Sequence, residues 1–214
     1  MTRMPDFISL NGPDNAGKTT QLVRLAERWE GFQPLGAVHE HDPEPWARVT
    51  AGDYARWWFK TSTTVELTEM LLTGHAKRAA ARRHGRTGLL DRGLPMLLAV
   101  ATATCVVKDG LTTGEASKTV TGIAGSRAGA PETSLLLLPS LDAKRSYATT
   151  SAREGRHWAG IYPAYQKALH AVLLRQADHG AYTAVVDCES RTVDEVHAEV
   201  LDHVGLARTT AGSP

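Results

Sequence analysis

The sequence predicts an α/β protein in which a parallel five-stranded sheet lies between two layers of helices. Short, apolar, β-prone runs alternate along the chain with longer stretches of helical periodicity, which is typical of parallel sheets covered on both faces. The 214 residues, 42% of them hydrophobic, suffice for one globular core without disulfides or metals. We expect a single domain over residues 1–206 and a disordered tail over residues 207–214.

Apolar runs of strand length supply the predicted strands. The first run ends in Asn11-Gly12-Pro13, which is typical of a turn, and the third carries Asp91 at its end. Ligands of parallel sheets bind beyond the carboxyl ends of the strands, so both of these ends are candidate sites. The predicted strands are Phe7–Leu10, Ala37–Glu40, Gly88–Asp91, Ser134–Leu138 and Tyr182–Asp187.

Helical periodicity appears between these runs. After Lys18, apolar residues recur at helical intervals up to Trp29, so a strand, a glycine-rich turn and a helix follow in order. We further predict a long helix within Thr64–Arg83, a buried apolar helix over Leu94–Val107, and a helix with one apolar face between Trp158 and Leu173.

Charge and composition exclude several classes of function. With 24 Lys and Arg against 23 Asp and Glu, the net charge of +1 provides no broad positive field, so we expect no nucleic-acid binding. No apolar run approaches the roughly 20 residues that span a bilayer, and the first residues do not resemble a secretion signal. We expect a cytoplasmic protein without membrane association. Cys105 and Cys188 share no metal-ligand spacing and fit buried positions in a reducing compartment.

The most specific motif is Gly12-Pro13-Asp14-Asn15-Ala16-Gly17-Lys18-Thr19, which satisfies G-x-x-x-x-G-K-[ST] between a predicted strand and a predicted helix. Its glycines allow successive backbone N–H groups to point inward, and the start of the helix adds partial positive charge. Lys18 can then reach the terminal phosphates of a nucleotide, and the Thr19 hydroxyl can ligate Mg²⁺. We interpret the segment as a phosphate-binding loop, or P-loop.

Asp91 and Arg92 form a second candidate element. A carboxylate at the end of a buried strand beside a P-loop is suited to organising Mg²⁺, and the adjacent guanidinium can hold a substrate phosphate through two contacts. In isolation, a strand end and a turn would explain both residues.

A basic segment over about residues 140–157 has little apolar content, and we interpret it as an exposed loop or a mobile lid. Phosphoryl transfer requires positive charge on the moving group, often from an arginine that arrives when a loop closes. A solvated run of charges is the alternative. The candidate residues are Lys144, Arg145, Arg153 and Arg156.

Taken together, these motifs resemble the thymidylate kinases, within the nucleoside monophosphate kinase-like group of P-loop NTPases, from about Asp6 to Leu206. The loop with its following Thr20 is similar to the family's G-x-[DE]-x-x-G-K-[ST]-T, and Asp91-Arg92 occupies the place of its D-R motif. Further likenesses are Pro131-Glu132-Thr133 before the fourth strand, the helix within Trp158–Leu169, and the segment Val186–Val196.

The resemblance implies roles for individual residues. It implies that ATP is the donor and that Thr19 and Asp91 hold Mg²⁺, and it places Arg191 near adenine. Because Asn15 stands where some members have a catalytic arginine, the assisting arginine is expected from the lid, with Arg153 or Arg156 first and Arg145 next. The implied ATP-binding residues are Gly12, Asn15, Ala16, Gly17, Lys18, Thr19, Thr20 and Arg191.

On the acceptor side, the resemblance implies that Asp14 approaches the acceptor sugar and that Arg92 and Arg78 meet its phosphate. It also suggests a homodimer through the helix Leu94–Val107. We expect Trp58, or one of its two aromatic neighbours, to stack on a base.

This chain departs from the family pattern in two acceptor-side segments, His39–Trp46 and Gly93–Val100. His39 and His41 can line the acceptor pocket, bind a metal or lie on the surface. The leading hypothesis is ATP-dependent phosphoryl transfer to a nucleoside monophosphate, thymidylate-like or with a modified pyrimidine. The alternatives are a nucleoside or other small metabolite phosphorylated on a hydroxyl, and a nucleotide-binding module without transfer activity.

Overall fold

The computed structural model describes residues 4–125, 130–154 and 158–206. Within them, five strands form one sheet in the order β2-β3-β1-β4-β5, and every pairing is parallel. This architecture confirms the α/β prediction. The strands are β1 (Phe7–Asn11), β2 (Phe32–Pro34), β3 (Thr87–Asp91), β4 (Glu132–Leu138) and β5 (Ala184–Asp187).

Helices cover both faces of the sheet. Alternate residues of β4 divide the core, since Leu135 and Leu137 pack with one cluster and Leu136 and Leu138 with the other. In chain order the helices are α1 (Lys18–Arg28), α2 (Val38–His41), α3 (Pro43–Thr50), α4 (Tyr54–Arg56), a π-helical segment (Trp57–Thr61), α5 (Thr64–Ala80), α6 (Leu94–Asp109), α7 (Thr113–Ala124), α8 (Ala143–Arg153), α9 (Tyr162–Asp178) and α10 (Val193–His203). Helices α1 and α10 contribute to the first cluster, and α5, α6 and α9 to the second.

The second predicted strand is wrong. The residues 37–40 do not form a strand, because Val38–His41 form helix α2, which packs against α5 where Gly74 has no side chain. A Cβ on Gly74 would lie 2.8 Å from the Val38 carbonyl oxygen. The actual strand, β2, has three residues and ends at Pro34, which is too short to show a strand period.

The basic segment is not the exposed loop that we expected, because most of it forms α8. The Asp142 side chain accepts a hydrogen bond from the Arg145 backbone N–H at the start of this helix, and Ser146 and Thr150 are buried on one face. Residues 155–157, including Arg156, lie outside the described residues, as does the predicted tail.

Helix α6 is apolar on all sides because it is buried within its own chain. Its neighbours are α5, α7 and α9, and nine of its residues are buried. This packing accounts for the apolar character of the helix through which we expected a homodimer. Among the helices of residues 4–125, 130–154 and 158–206, none is long and apolar enough to span a membrane.

Candidate functional site

The P-loop joins β1 to α1 at the carboxyl edge of the sheet, and its backbone requires glycine. Gly12 has a φ of 134°, and a Cβ there would lie 2.1 Å from the Leu137 carbonyl oxygen. Gly17 has a φ of 91° at the start of α1, and Asn15 is left-handed with a φ of 59°. Positive φ angles at these positions are those of a glycine-rich loop, which suits the binding of a small anion by backbone N–H groups.

Lys18 is buried inside the loop, with 5% of its surface exposed. Its Nζ donates a hydrogen bond of 2.6 Å to the Pro13 carbonyl oxygen. Burial, followed by the charge of Arg92, lowers the pKa of Lys18 to about 8, while Asp14 and Asp91 act in the opposite direction. A buried ammonium of this kind gains much from an anion in the loop, so Lys18 fits the phosphate contact that the motif predicts.

Asp14 is held by two side chains from distant parts of the chain. Arg92 Nη2 donates to Asp14 Oδ1 at 2.7 Å, and the Tyr162 hydroxyl donates to Oδ2 at 3.1 Å. Burial alone would raise the pKa of Asp14, but the charges of Arg92 and Lys18 and these hydrogen bonds together lower it. Arg92 itself has a φ of 66°, so a strained backbone directs its guanidinium toward the loop. Sequence analysis did not single out Tyr162.

Asp91 ends β3 beside the loop and is half-buried. Its Oδ1 is buried and has no hydrogen-bond partner among the described residues, although Arg92 Nη1 lies 3.9 Å away. Asp91 and Thr19 line the same cavity, and a buried carboxylate oxygen without a partner is a suitable donor for Mg²⁺, which commonly uses one or two carboxylates together with phosphate oxygens. The two residues therefore fit the Mg²⁺ that the sequence motifs predict.

Arg78 is placed differently from what the resemblance implied. Its side chain is completely buried and does not line the acceptor cavity described below. Its Nη1 donates to the carbonyl oxygens of Gly36 and Asp91, and its Nη2 donates to that of Arg92 and contacts His75 Nδ1. Burial lowers the pKa of Arg78 to about 10. Arg78 therefore fixes the backbone around Asp91.

The end of α8 reaches the P-loop. Arg153 Nη1 donates to the Asn15 carbonyl oxygen at 3.1 Å, and Asn15 Nδ2 donates to Glu154 Oε2 at 2.8 Å. Arg145 is instead paired with Glu189 at 2.8 Å. Of Arg145 and Arg153, the two lid candidates among the described residues, Arg153 is the one that contacts the P-loop.

On the donor side, the side chain of Arg191 is occupied by neighbouring groups. It is ion-paired with Glu199 and donates to the carbonyl oxygens of Asp187 and Glu195. Ser190 before it has a φ of 56°. The Arg191 guanidinium is therefore engaged by α10 and its own loop, which does not favour the adenine contact that the resemblance implies.

A cavity of about 930 Å³ opens beside Asp91 and Arg92. Trp58 lines it and is fixed by a hydrogen bond of 3.0 Å from its Nε1 to Thr104 Oγ1, and Tyr165 is nearly fully buried in the same wall. The aromatic and aliphatic residues on this side of the cavity are Val38, Trp46, Tyr54, Trp58, Phe59, Leu71, Leu97, Val100 and Tyr165. Such a wall suits a planar ring.

The charged groups of the cavity are mostly acidic. Arg92 and His39 are its basic residues. His41 Nε2 contacts the Leu35 carbonyl oxygen instead, and no cluster of three or more His, Cys, Asp or Glu suited to a metal occurs in the described part of the chain. The acidic lining residues are Asp14, Glu27, Glu40 and Asp91.

No family model and no curated protein matches the sequence. Solved structures do match the fold. A thymidylate kinase from Candida albicans has a TM-score of 0.63 at 13% identity, covering 94% of this chain and 92% of its own. A deoxyadenosine kinase from M. mycoides with bound dATP has a TM-score of 0.65 at 14% identity, covering 95% and 100%. A thymidylate kinase from Ehrlichia chaffeensis has a TM-score of 0.56 at 11% identity, covering 95% and 99%. The fold is therefore that of the P-loop nucleotide and deoxynucleoside kinases, which confirms the fold that the resemblance predicts.

Proposed function

We propose that this chain is an ATP-dependent kinase that transfers a phosphoryl group to a hydroxyl of a nucleoside or a related small metabolite. The observation that carries the proposal is the composition of the cavity lining, which includes four carboxylates but only one guanidinium and one imidazole. A neutral or cationic acceptor fits this lining better than a phosphate monoester does.

A nucleoside monophosphate would need cationic groups for its own phosphate. The guanidinium of Arg92 is already paired with Asp14 at 2.7 Å, and that of Arg78 is engaged by three carbonyl oxygens. The shortage of free cations therefore favours the hydroxyl acceptor.

The residues of the site then take distinct roles. The P-loop backbone and Lys18 bind the ATP phosphates, and Thr19 and Asp91 hold Mg²⁺, which supplies neutralising charge at the β- and γ-phosphates. Arg153, at the P-loop, stabilises the charge of the transferred group. Asp14, fixed by Arg92 and Tyr162, orients the acceptor hydroxyl.

Proton removal falls to Asp14, because the unpartnered oxygen of Asp91 is the one assigned to Mg²⁺. Both oxygens of Asp14 accept hydrogen bonds and its pKa is lowered, so it is a weak base. Phosphoryl transfer places modest demands on a base, so Asp14 can accept the proton of the hydroxyl late in the reaction.

The test is product formation with Mg-ATP, read by mass spectrometry, for each of five nucleosides and its own monophosphate, including thymidine and thymidylate. We expect at least one nucleoside to exceed its monophosphate tenfold or more in kcat/KM. Lys18→Ala serves as the inactive control. Preference for a monophosphate would instead establish the nucleotide kinase, and ATP consumption without any acceptor requirement would exclude a kinase of small acceptors.

The nucleoside monophosphate remains the second candidate. Arg92 is the observation that favours it, since its guanidinium lines the cavity next to the P-loop and can exchange Asp14 for an acceptor phosphate. The comparison of each nucleoside with its own monophosphate separates the two candidates directly.

A further inference from the structure

The turn that follows β3 holds Arg92 in a backbone conformation that residues other than glycine rarely adopt. Its φ of 66° lies in the left-handed region. Such a conformation persists only where the surrounding structure determines it, and outliers of this kind cluster at functional sites. The contacts of this turn therefore show which residues set the direction of the Arg92 guanidinium.

The backbone groups of this turn are hydrogen-bonded to three other segments of the chain. The Arg92 N–H donates to the Leu10 carbonyl oxygen at 3.1 Å, and the Arg92 carbonyl oxygen accepts from Arg78 Nη2 at 2.6 Å. The next N–H along the chain, that of Gly93, donates to Asn11 Oδ1 at 2.8 Å. Asn11, the last residue of β1, is therefore the side chain that holds the turn from the sheet, opposite to Arg78 on α5.

Gly93 lies directly against the sheet, which brings its N–H within reach of Asn11. A Cβ on Gly93 would lie 2.4 Å from both Ser9 Oγ and Glu132 Oε1, so a side chain here would displace the polar groups beneath it. The close approach of the backbone at this point therefore requires glycine.

Asn11 is itself held in one orientation by polar groups of β1 and β4. It is completely buried, and its Nδ2 donates to Ser134 Oγ at 2.8 Å, to Ser9 Oγ at 3.0 Å and to the Leu135 carbonyl oxygen at 3.2 Å. A carbonyl oxygen can only accept a hydrogen bond and the Gly93 N–H can only donate one, so the two ends of the Asn11 amide cannot exchange places. The sheet therefore presents Oδ1 to Gly93.

We propose that Asn11 is a positioning residue for the acceptor side of the site, because its hydrogen bond from Gly93 keeps the Arg92 guanidinium beside Asp14. Arg92 lines the acceptor cavity and donates to Asp14 at 2.7 Å, so a shift of the turn would release both groups. Asn11 immediately precedes Gly12, so one side chain joins the start of the P-loop to the turn that carries Arg92. This proposal rests on the proposed function, since it assigns a residue that orients groups of the same site.

Crystal structures of Asn11→Leu and Ser134→Ala test the positioning without any turnover. Leucine branches at the same atom as asparagine but accepts no hydrogen bond, so we expect Arg92 to leave the left-handed region and its distance from Asp14 to exceed about 4 Å. Ser134→Ala is the matched control, because it removes a partner of Asn11 Nδ2 and leaves the bond from Gly93 to Oδ1 in place. An unchanged turn in Asn11→Leu, or an equal shift in the control, overturns the proposal.

Binding measurements separate a positioning role from a general loss of stability. Calorimetry gives the Kd of thymidine or thymidylate, whichever binds more tightly to the unaltered protein, and the Kd of ATP. We expect Asn11→Leu to raise the acceptor Kd at least tenfold and to change the ATP Kd by less than about threefold, whereas Ser134→Ala should leave both constants within about twofold. Equal losses for acceptor and ATP, or no loss for the acceptor, contradict the assignment. If neither probe binds, the crystal structures alone decide.

A double-mutant cycle tests whether Asn11 acts through Arg92. In an Arg92→Met background, Asn11→Leu should cause no further rise in the acceptor Kd, because the guanidinium that it positions is already absent. Additive losses would mean that Asn11 affects the cavity by another route, and they overturn the proposal.

A second variant covers the case in which Asn11→Leu does not fold. Asn11→Ser keeps a polar side chain but is too short to reach the Gly93 N–H, so it should show the same shift of Arg92 and the same loss of acceptor affinity. Failure of both variants to fold would show that Asn11 serves stability alone. The structures and the binding constants need no turnover, so absence of phosphoryl transfer counts against the proposed function alone.

Discussion

The P-loop and the acceptor cavity lie side by side at one edge of the sheet but are built in opposite ways. Eight consecutive residues, Gly12–Thr19, form the whole phosphate-binding loop. The cavity is lined by residues between Asp14 and Tyr165 from both faces of the sheet. The proposed donor site is therefore a contiguous motif, whereas the proposed acceptor site depends on side chains that only the fold brings together.

The difference also appears in how the charged groups are held. Lys18 is fixed within the loop by the carbonyl oxygen of Pro13, five residues away. Asp14 is fixed by Arg92 and Tyr162, which are 78 and 148 residues away. Damage to tertiary packing should therefore weaken acceptor binding before it weakens ATP binding.

Among the variants that test this difference, Arg78→Met should have the largest effect. Loss of the guanidinium leaves the carbonyl oxygens of Gly36, Asp91 and Arg92 without a buried donor, which should lower the free energy of unfolding by about 3–5 kcal/mol. Urea unfolding measures this loss. Arg83→Met, at an exposed position, is the control and should stay within about 0.5 kcal/mol. A loss below about 1 kcal/mol for Arg78→Met would show that Arg78 does not hold the cavity's backbone.

Lys18→Ala should act on the donor side alone. Removing one charge that stabilises the transferred group should lower kcat roughly 10²–10³-fold, while far-UV circular dichroism and the acceptor Kd stay unchanged. A comparable loss of acceptor affinity would contradict the separation of the two regions.

The pH dependence of stability and of ATP affinity tests Lys18 on the donor side further. Because burial lowers its pKa to about 8 from 10.5, the unfolded chain binds more protons than the native protein between these values, so stability should rise with pH from about 8 to about 10. ATP affinity should fall over the same range, toward tenfold per pH unit, because the neutral amine no longer attracts phosphate. Calorimetry measures both trends, and Lys18→Ala should remove them.

Tyr162→Phe should have a smaller, acceptor-side effect. Loss of the hydroxyl frees Asp14 Oδ2, so we expect acceptor KM to rise by roughly tenfold, with the ATP KM unchanged. Tyr182→Phe is the structural control, because its hydroxyl bonds Gln176 away from the P-loop. If both variants changed acceptor KM equally, Tyr162 would have no specific role at the site.

The sequence predicts those parts of the fold that are specified by residues close together in the chain. The P-loop, the strand that ends at Asp91 and the buried helix α6 each carry their signal within one short segment. Strand β2 has too few residues for a period, and the contacts of Asp14 with Tyr162 and of Arg78 with the backbone join distant segments. Such contacts are set by tertiary packing, which one sequence does not reveal.

The smallest expected effect concerns helix α7. Sequence analysis missed this helix, although its sequence carries a local signal. Thr112 accepts a hydrogen bond from the Glu115 backbone N–H, and the Glu115 side chain accepts one from the Thr112 backbone N–H. The helix packs on α5 and α6, which carry Leu71 and Leu97 of the cavity wall. Thr112→Ala should lower Tm by roughly 2–4 °C and raise acceptor KM slightly, without any change in ATP affinity.

The matched control for this variant is Thr121→Ala in the same helix. Thr121 is exposed and lies within α7, where alanine favours the helix, so Tm should stay constant or rise slightly. A weaker acceptor affinity in Thr112→Ala alone would show that remote packing maintains the cavity wall. Equal losses of ATP and acceptor affinity would instead mean that the two sides of the site depend on the same packing. That result would contradict the difference between a contiguous P-loop and a cavity assembled from distant segments.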